Sequence, residues 1–175
     1  LVENGVDTRK FADAGARTLQ KRMVFVGRFS SNKRLDRLFD LLAALRARDP
    51  EWTLGIIGMP WDDDQAKLAR MAAERGITGA VQVETGLSDR EIAARLAEAS
   101  FVASASEYEG FGISIIEGMS AGLIPILNEI AAFRRVADDS GLGVIGDCAR
   151  PQAMADAVLA MLPASDADYQ PMRSA

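Results

Sequence analysis

Apolar residues fall along this chain in two patterns that take turns. Short, nearly unbroken runs at 22–26, 52–57, 81–83, 101–103 and 125–127 read as buried strands, and 142–145 as a sixth. Between them lie stretches with helical spacing. The segment 36–48 carries Leu38, Phe39, Leu41, Leu42 and Leu45 on one face, and Pro50 marks its end. Asp62, Asp63 and Asp64 open a helix that runs to Arg75 and closes at Gly76. Ser88 and Glu91 have the spacing of a capping box and start a helix to about residue 99. Further helices are expected at 113–121, 131–137 and 152–162. Strands alternating with helices, without repeats or low-complexity tracts, predict a parallel sheet covered on both faces. Right-handed crossovers then favour a doubly wound, Rossmann-like, three-layer α/β/α domain of about six strands. The expected limits are a polar opening segment at 1–21, the domain at 22–163, and a loose tail at 164–175, where the composition turns small and polar.

Ligands of such sheets bind at the carboxyl ends of the strands. The expected strand-end loops are 27–30, 58–60, 84–88 and the stretch from Ser104 to Gly112. This last stretch is the centre of the chain. Gly110 and Gly112 would let the backbone approach a ligand, and the helix that follows offers unpaired N–H groups and the positive end of its dipole to a phosphate. Glu109 precedes that anion site. Glu117, eight positions on, lies in the helix, where a carboxylate can accept two hydrogen bonds from a ribose diol.

Composition narrows the choice. The 175 residues hold 49% hydrophobic side chains, enough for one sizeable core. A net charge of −5 argues against nucleic acid as a partner. The single cysteine, Cys148, excludes an internal disulfide and is read as structural. There is no histidine, so the commonest general base and metal ligand is missing. No apolar run approaches the length of a membrane span. The glycines at 110, 112 and 118 do not have dinucleotide-fingerprint spacing, and the run from Gly27 to Lys33 lacks the second glycine and the Ser/Thr of a P-loop. Asp62 to Asp64 suit helix capping better than a metal site. Trp52, Trp61 and Met59 are expected to serve packing.

The run Glu109-Gly110-Phe111-Gly112, four mostly apolar residues, then Glu117-Gly118-Met119-Ser120-Ala121-Gly122 and Pro125, resembles the signature of family 4 glycosyltransferases, retaining enzymes of the GT-B fold. Asn4-Gly5-Val6-Asp7 resembles that family's lead-in to its C-terminal domain, Gly27-Arg28 with Lys33 its phosphate-contacting loop, and Gly86-Leu87-Ser88 its base-binding segment. One departure is visible: the family usually has Lys-Gly, and here Arg34 follows Lys33, either as a third phosphate contact or merely exposed.

The resemblance implies the C-terminal half of a GT-B enzyme, which moves a hexose from a UDP- or GDP-sugar to an acceptor hydroxyl with retention. Glu117 would hold the ribose hydroxyls. Gly110, Phe111, Gly112 and Ile113 would bind the donor's phosphate and sugar beside Gly27. Arg28 and Lys33 would neutralise the leaving diphosphate, Glu109 would face the sugar, and Leu87 or its neighbours would contact the base. No metal or other cofactor is expected. An acceptor saccharide, free or lipid-linked, would bind through a missing N-terminal domain, so this chain alone is expected to bind nucleotide weakly and transfer nothing. The full enzyme is expected in the cytoplasm, peripheral to the inner face of the membrane, in polysaccharide or glycolipid synthesis. A GT-B epimerase and a non-catalytic nucleotide-sugar module are the competing readings, and a flavodoxin-like or receiver-like domain is the plainest one.

Overall fold

The computed structural model describes residues 9–174. The lead-in Asn4-Gly5-Val6-Asp7 lies outside the described residues. The six strands form one wholly parallel sheet of order β3-β2-β1-β4-β5-β6. They are β1 (Arg22–Phe29), β2 (Thr53–Pro60), β3 (Val81–Thr85), β4 (Phe101–Ser104), β5 (Ile124–Asn128) and β6 (Val144–Gly146). The order reverses between β1 and β4, as in a doubly wound fold, and this reversal opens a crevice at the strands' carboxyl ends.

Successive strand residues face opposite sides of the sheet, and each side has its own core. Met23, Phe25, Leu54, Ile56, Phe101 and Ile126 pack with α1 (Leu35–Arg46), α2 (Gln65–Glu74) and α6 (Pro151–Met161). Val24, Ile57, Val102 and Leu127 pack on the other side with α3 (Asp89–Leu96), α4 (Ile113–Ser120) and α5 (Ala131–Ser140). The leucine stripe of α1 is fully buried, as its spacing requires. Ser88 and Glu91 form the expected reciprocal capping box. Of the three aspartates only Asp64 caps α2, accepting the N–H of Lys67; Asp63 pairs with the Lys67 ammonium, and Asp62 instead accepts the N–H of Ser31, in the turn after β1, at 2.8 Å.

Four expectations are corrected. The first two strands run past Gly27 and Gly58, so Arg28, Met59 and Pro60 are strand residues rather than loop. The two glycines face one another in register, and a Cβ on Gly58 would stand 1.7 Å from the carbonyl oxygen of Gly27. Gly58 is therefore needed for strand pairing, not for ending a strand, whereas a Cβ on Gly27 would meet only the Phe25 ring, at 3.0 Å. Glu84 and Thr85 are likewise part of β3, paired with Ile57 and Gly58.

Trp52 is core, stacked against Phe101 with centroids 5.3 Å apart, but Met59 and Trp61 are 65% and 68% exposed. They stand at the carboxyl edge, beyond the reach of either core. Finally, the end of the chain is not loose. Residues Asp166–Ser174 form α7, whose Tyr169 is fully buried and donates its hydroxyl to Ala16 at 3.2 Å. Arg173 reaches Gly15 and Asp13. The opening segment gives α7 something to pack on: Gly15 and Ala16 donate to Ala121 and Ala99 at the sheet's opposite edge. That pairing is non-local, and local composition carries no sign of it.

Candidate functional site

A cleft of about 750 Å³ opens where β1 and β4 part. One wall is the end of β1 and the turn after it, with Gly27, Arg28, Ser30, Asn32 and Lys33. The other is the loop from β4 into α4, with Tyr108, Glu109, Gly110, Phe111, Gly112, Ile113 and Ser114. The structure thus brings together all but two of the residues expected to bind or act. Glu117 and Leu87 stand outside this lining. Glu117 lies one turn into α4, half-buried, and among the described residues its carboxylate has no hydrogen-bond or ion-pair partner. Leu87 follows β3 and packs partly against the second core.

The loop is built by backbone geometry. Gly112 caps α4 with φ 73 and ψ 38, the left-handed region that glycine enters freely, and a Cβ there would also crowd the Phe133 ring at 3.1 Å. Gly110 is different: a Cβ on it would meet nothing within 4 Å. The first N–H groups of α4 have no partner within the helix and point, with the positive end of its dipole, toward the cleft. Phe111 and Ile113 leave 50% and 44% of their surface exposed beside them.

Glu109 is held on one side only. Its Oε1 accepts from Lys33 and, at 2.8 Å, from the Ser106 hydroxyl, so Oε2 is left without a partner among the described residues. Ser106 is itself fixed, its hydroxyl 2.9 Å from that of Ser104 and its carbonyl accepting from Asn128. Asn128 at the end of β5 is in turn held by the N–H of Cys148 at 3.0 Å. Asn32 joins the two walls, donating to Tyr108 at 3.1 Å and accepting the N–H of Glu107 at 2.9 Å. Ser106, Asn128 and Asn32 escaped the sequence reading, because small polar residues at strand ends look alike until the sheet order is known. Arg28 has no carboxylate partner among the described residues, and its guanidinium lies 5.1 Å from the Trp61 ring. A cationic fork, an ammonium and a helix N-terminus therefore converge on one cleft, with a carboxylate at its margin.

A second cavity of about 410 Å³ lies among α4, α5 and α7, lined largely by apolar side chains such as Ile116, Leu123 and Val136. It shares no lining residue with the cleft.

Comparison with known proteins agrees with the geometry. The family model of the group 1 glycosyl transferases matches residues 6–171. The GDP-mannose:cellobiosyl-diphosphopolyprenol alpha-mannosyltransferase of Xanthomonas campestris is 43% identical over the whole of this chain, which spans 46% of that relative. The phosphatidyl-myo-inositol mannosyltransferase of Mycobacterium tuberculosis is 32% identical over 92% of the chain and 44% of its own length. The chain thus spans about half the length of the curated relatives it matches. Among solved structures, the C-terminal domain of a glycosyl transferase group 1 family protein, LpcC of Francisella tularensis, superposes with a TM-score of 0.76 at 21% identity, covering 97% of this chain and 93% of that one. TarM of S. aureus superposes at 0.76 over 91% of this chain and 32% of its own. The sheet order, the strand-end cleft and the matched family model lead to one assignment: the chain belongs to the group 1 glycosyltransferases and has the Rossmann-like fold of one half of a GT-B enzyme.

Proposed function

We propose that this chain is the donor-binding half of a retaining mannosyltransferase that takes GDP-mannose and passes the sugar to a hydroxyl of a lipid-linked saccharide. The observation that carries the reading is the cleft at the β1/β4 reversal, where Arg28, Lys33 and the α4 N-terminus face the same space as Glu109. A leaving nucleoside diphosphate gains negative charge in the transition state, and preorganised cations and N–H groups are what lower that barrier. Arg28 would give a two-pronged contact to phosphate oxygens and Lys33 a point charge. Lys33 has three protons, so it can keep Glu109 while it meets a phosphate. The free Oε2 of Glu109 would accept from a sugar hydroxyl and face the developing positive charge at the anomeric carbon. Glu117 would accept from the ribose hydroxyls, and the segment at Gly86 and Leu87 would meet the base. The choice of guanine rests on the relative with 43% identity, and that of mannose on it and the relative with 32%. In this reading the diphosphate is neutralised by the protein alone, so EDTA leaves GDP affinity and transfer unchanged. No helix among the described residues is long and apolar enough to cross a membrane, and the lipid-linked acceptor would be reached from the aqueous side, through the other half of the enzyme.

The test is a calorimetric comparison of two variants with GDP and GDP-mannose. Glu117→Ala should weaken both ligands alike, by roughly tenfold or more, the cost of losing hydrogen bonds to a charged acceptor. Glu109→Ala should weaken GDP-mannose clearly more than GDP. Equal affinities in both variants and the parent would overturn the site assignment.

A further inference from the structure

Arg34 sits beside the cleft, next to Lys33, with a backbone that suits glycine. Its φ of 48 and ψ of 51 are left-handed, and among the described residues only Asp13 shares that property without being a glycine. A side chain kept in a disfavoured conformation has work that glycine could not do. Here the work is visible. The guanidinium grips Asp36 with both prongs, at 3.0 and 2.8 Å, and its third nitrogen pairs with Glu107. Arg37, one turn on, meets the same Glu107 oxygen at 2.7 Å. Arg34 follows Lys33, and Glu107 precedes Glu109 by two residues. The Arg34–Glu107 pair is therefore a further tie between the same two loops, beside Lys33–Glu109 and the Asn32 hydrogen bonds. Arg34 does not line the cleft; it lines a neighbouring charged depression with Asp63 and Lys67.

The geometry points to Arg34 as a positioning residue of the donor site, one that acts through Glu107 to hold the Glu109 loop where Lys33 can meet it. It rests on the donor-site reading, with Arg34 touching no part of the nucleotide. Without the tie, the loop samples other placements, and a ligand must order it before binding. The strain at Arg34 and the binding function then pull in opposite directions, since glycine relieves the first and abolishes the second.

The test uses Arg34→Gly, Arg34→Lys, Glu107→Gln and the double variant Arg34→Gly/Glu107→Gln. Amide exchange at Glu107, whose N–H reports the closed loop through Asn32, should rise roughly tenfold in Arg34→Gly and Glu107→Gln while β4 is unchanged. GDP affinity should fall roughly tenfold in Arg34→Gly, with a melting temperature no more than about 3 °C below the parent. Arg34→Lys should recover part of the loss, since it keeps the charge near Glu107 but not the fork on Asp36. Adding Arg34→Gly to Glu107→Gln should cost less than about twofold more, because the two act as one unit. Unchanged exchange at Glu107, or a full additional loss in the double variant, overturns the proposal; the latter would make Arg34 a direct nucleotide contact. If the parent binds no nucleoside diphosphate, the donor-site reading falls instead, and the exchange measurement still decides whether Arg34 holds the loop.

Discussion

A methyl group on Gly58 would be driven into the Gly27 carbonyl oxygen at 1.7 Å, and backbone cannot step aside as a flexible side chain can. Gly58→Ala should therefore cost about 3 kcal/mol in a denaturant melt, at the upper end of ordinary overpacking. Cys148 gives a residue prediction of another kind. Burial pushes its thiol up to about 12, so at pH 8 it should react with a thiol reagent only when the chain unfolds. Both residues were noticed in the sequence, Cys148 rightly as structural and Gly58 for the wrong reason. The two glutamates stood out through the family signature around them, because a carboxylate on each side of a two-glycine turn leaves an ordinary strand-loop-helix turn equally open. Ser106 and Asn128 were not, because what they hold in place, the one-sided fixation of Glu109, exists only once β5 lies beside β4.

Elements were legible wherever one face had to be buried. The strands, the stripe of α1 and the capping box of α3 followed from period and cap, with limits that moved by a few residues. The misplaced element was α7. Its sequence is small and polar apart from Tyr169 and Met172, and a short isolated helix of that kind is marginal. Tertiary contact with residues 13–19 supplies what local sequence lacks. Tyr169→Phe should lose about 1 kcal/mol, the worth of the Ala16 hydrogen bond, and Tyr169→Ala about 3–5 kcal/mol, both read from urea midpoints. The tie at the start of α1 has a pH signature. The Arg34 guanidinium beside Asp36 holds its carboxyl below the ordinary value of 3.8, so the folded value is the lower one. Its stabilisation is then fully present above that value and fades as pH falls through the folded one. The melting-temperature gap between the parent and Asp36→Asn should be flat from about pH 7 to 5 and close below about pH 4.

At the scale of the molecule, two edges of one sheet do different work. At the amino ends of the strands, α7 and the opening segment knit the chain shut through buried tyrosine and arginine contacts. At the carboxyl ends, the reversal of strand order leaves a cleft lined in part by the exposed Tyr108, Phe111 and Ile113, with Met59 and Trp61 exposed on the same edge. The parallel, doubly wound architecture was legible from alternation alone, and so was the edge that should bind. The base, the sugar and the acceptor were not, because no side chain in the sequence announces them. Whether this edge takes a nucleoside diphosphate, as proposed, is decided by a thermal-shift titration of the chain with GDP, UDP and ADP. A ligand that binds only the folded chain raises its melting temperature in proportion to the logarithm of excess ligand. GDP should give a rise that grows with the logarithm of its concentration, exceeds those with UDP and ADP, and needs roughly tenfold more GDP or beyond to appear in Glu117→Ala. The absence of a rise with all three, or an equal rise in Glu117→Ala, would contradict the proposal.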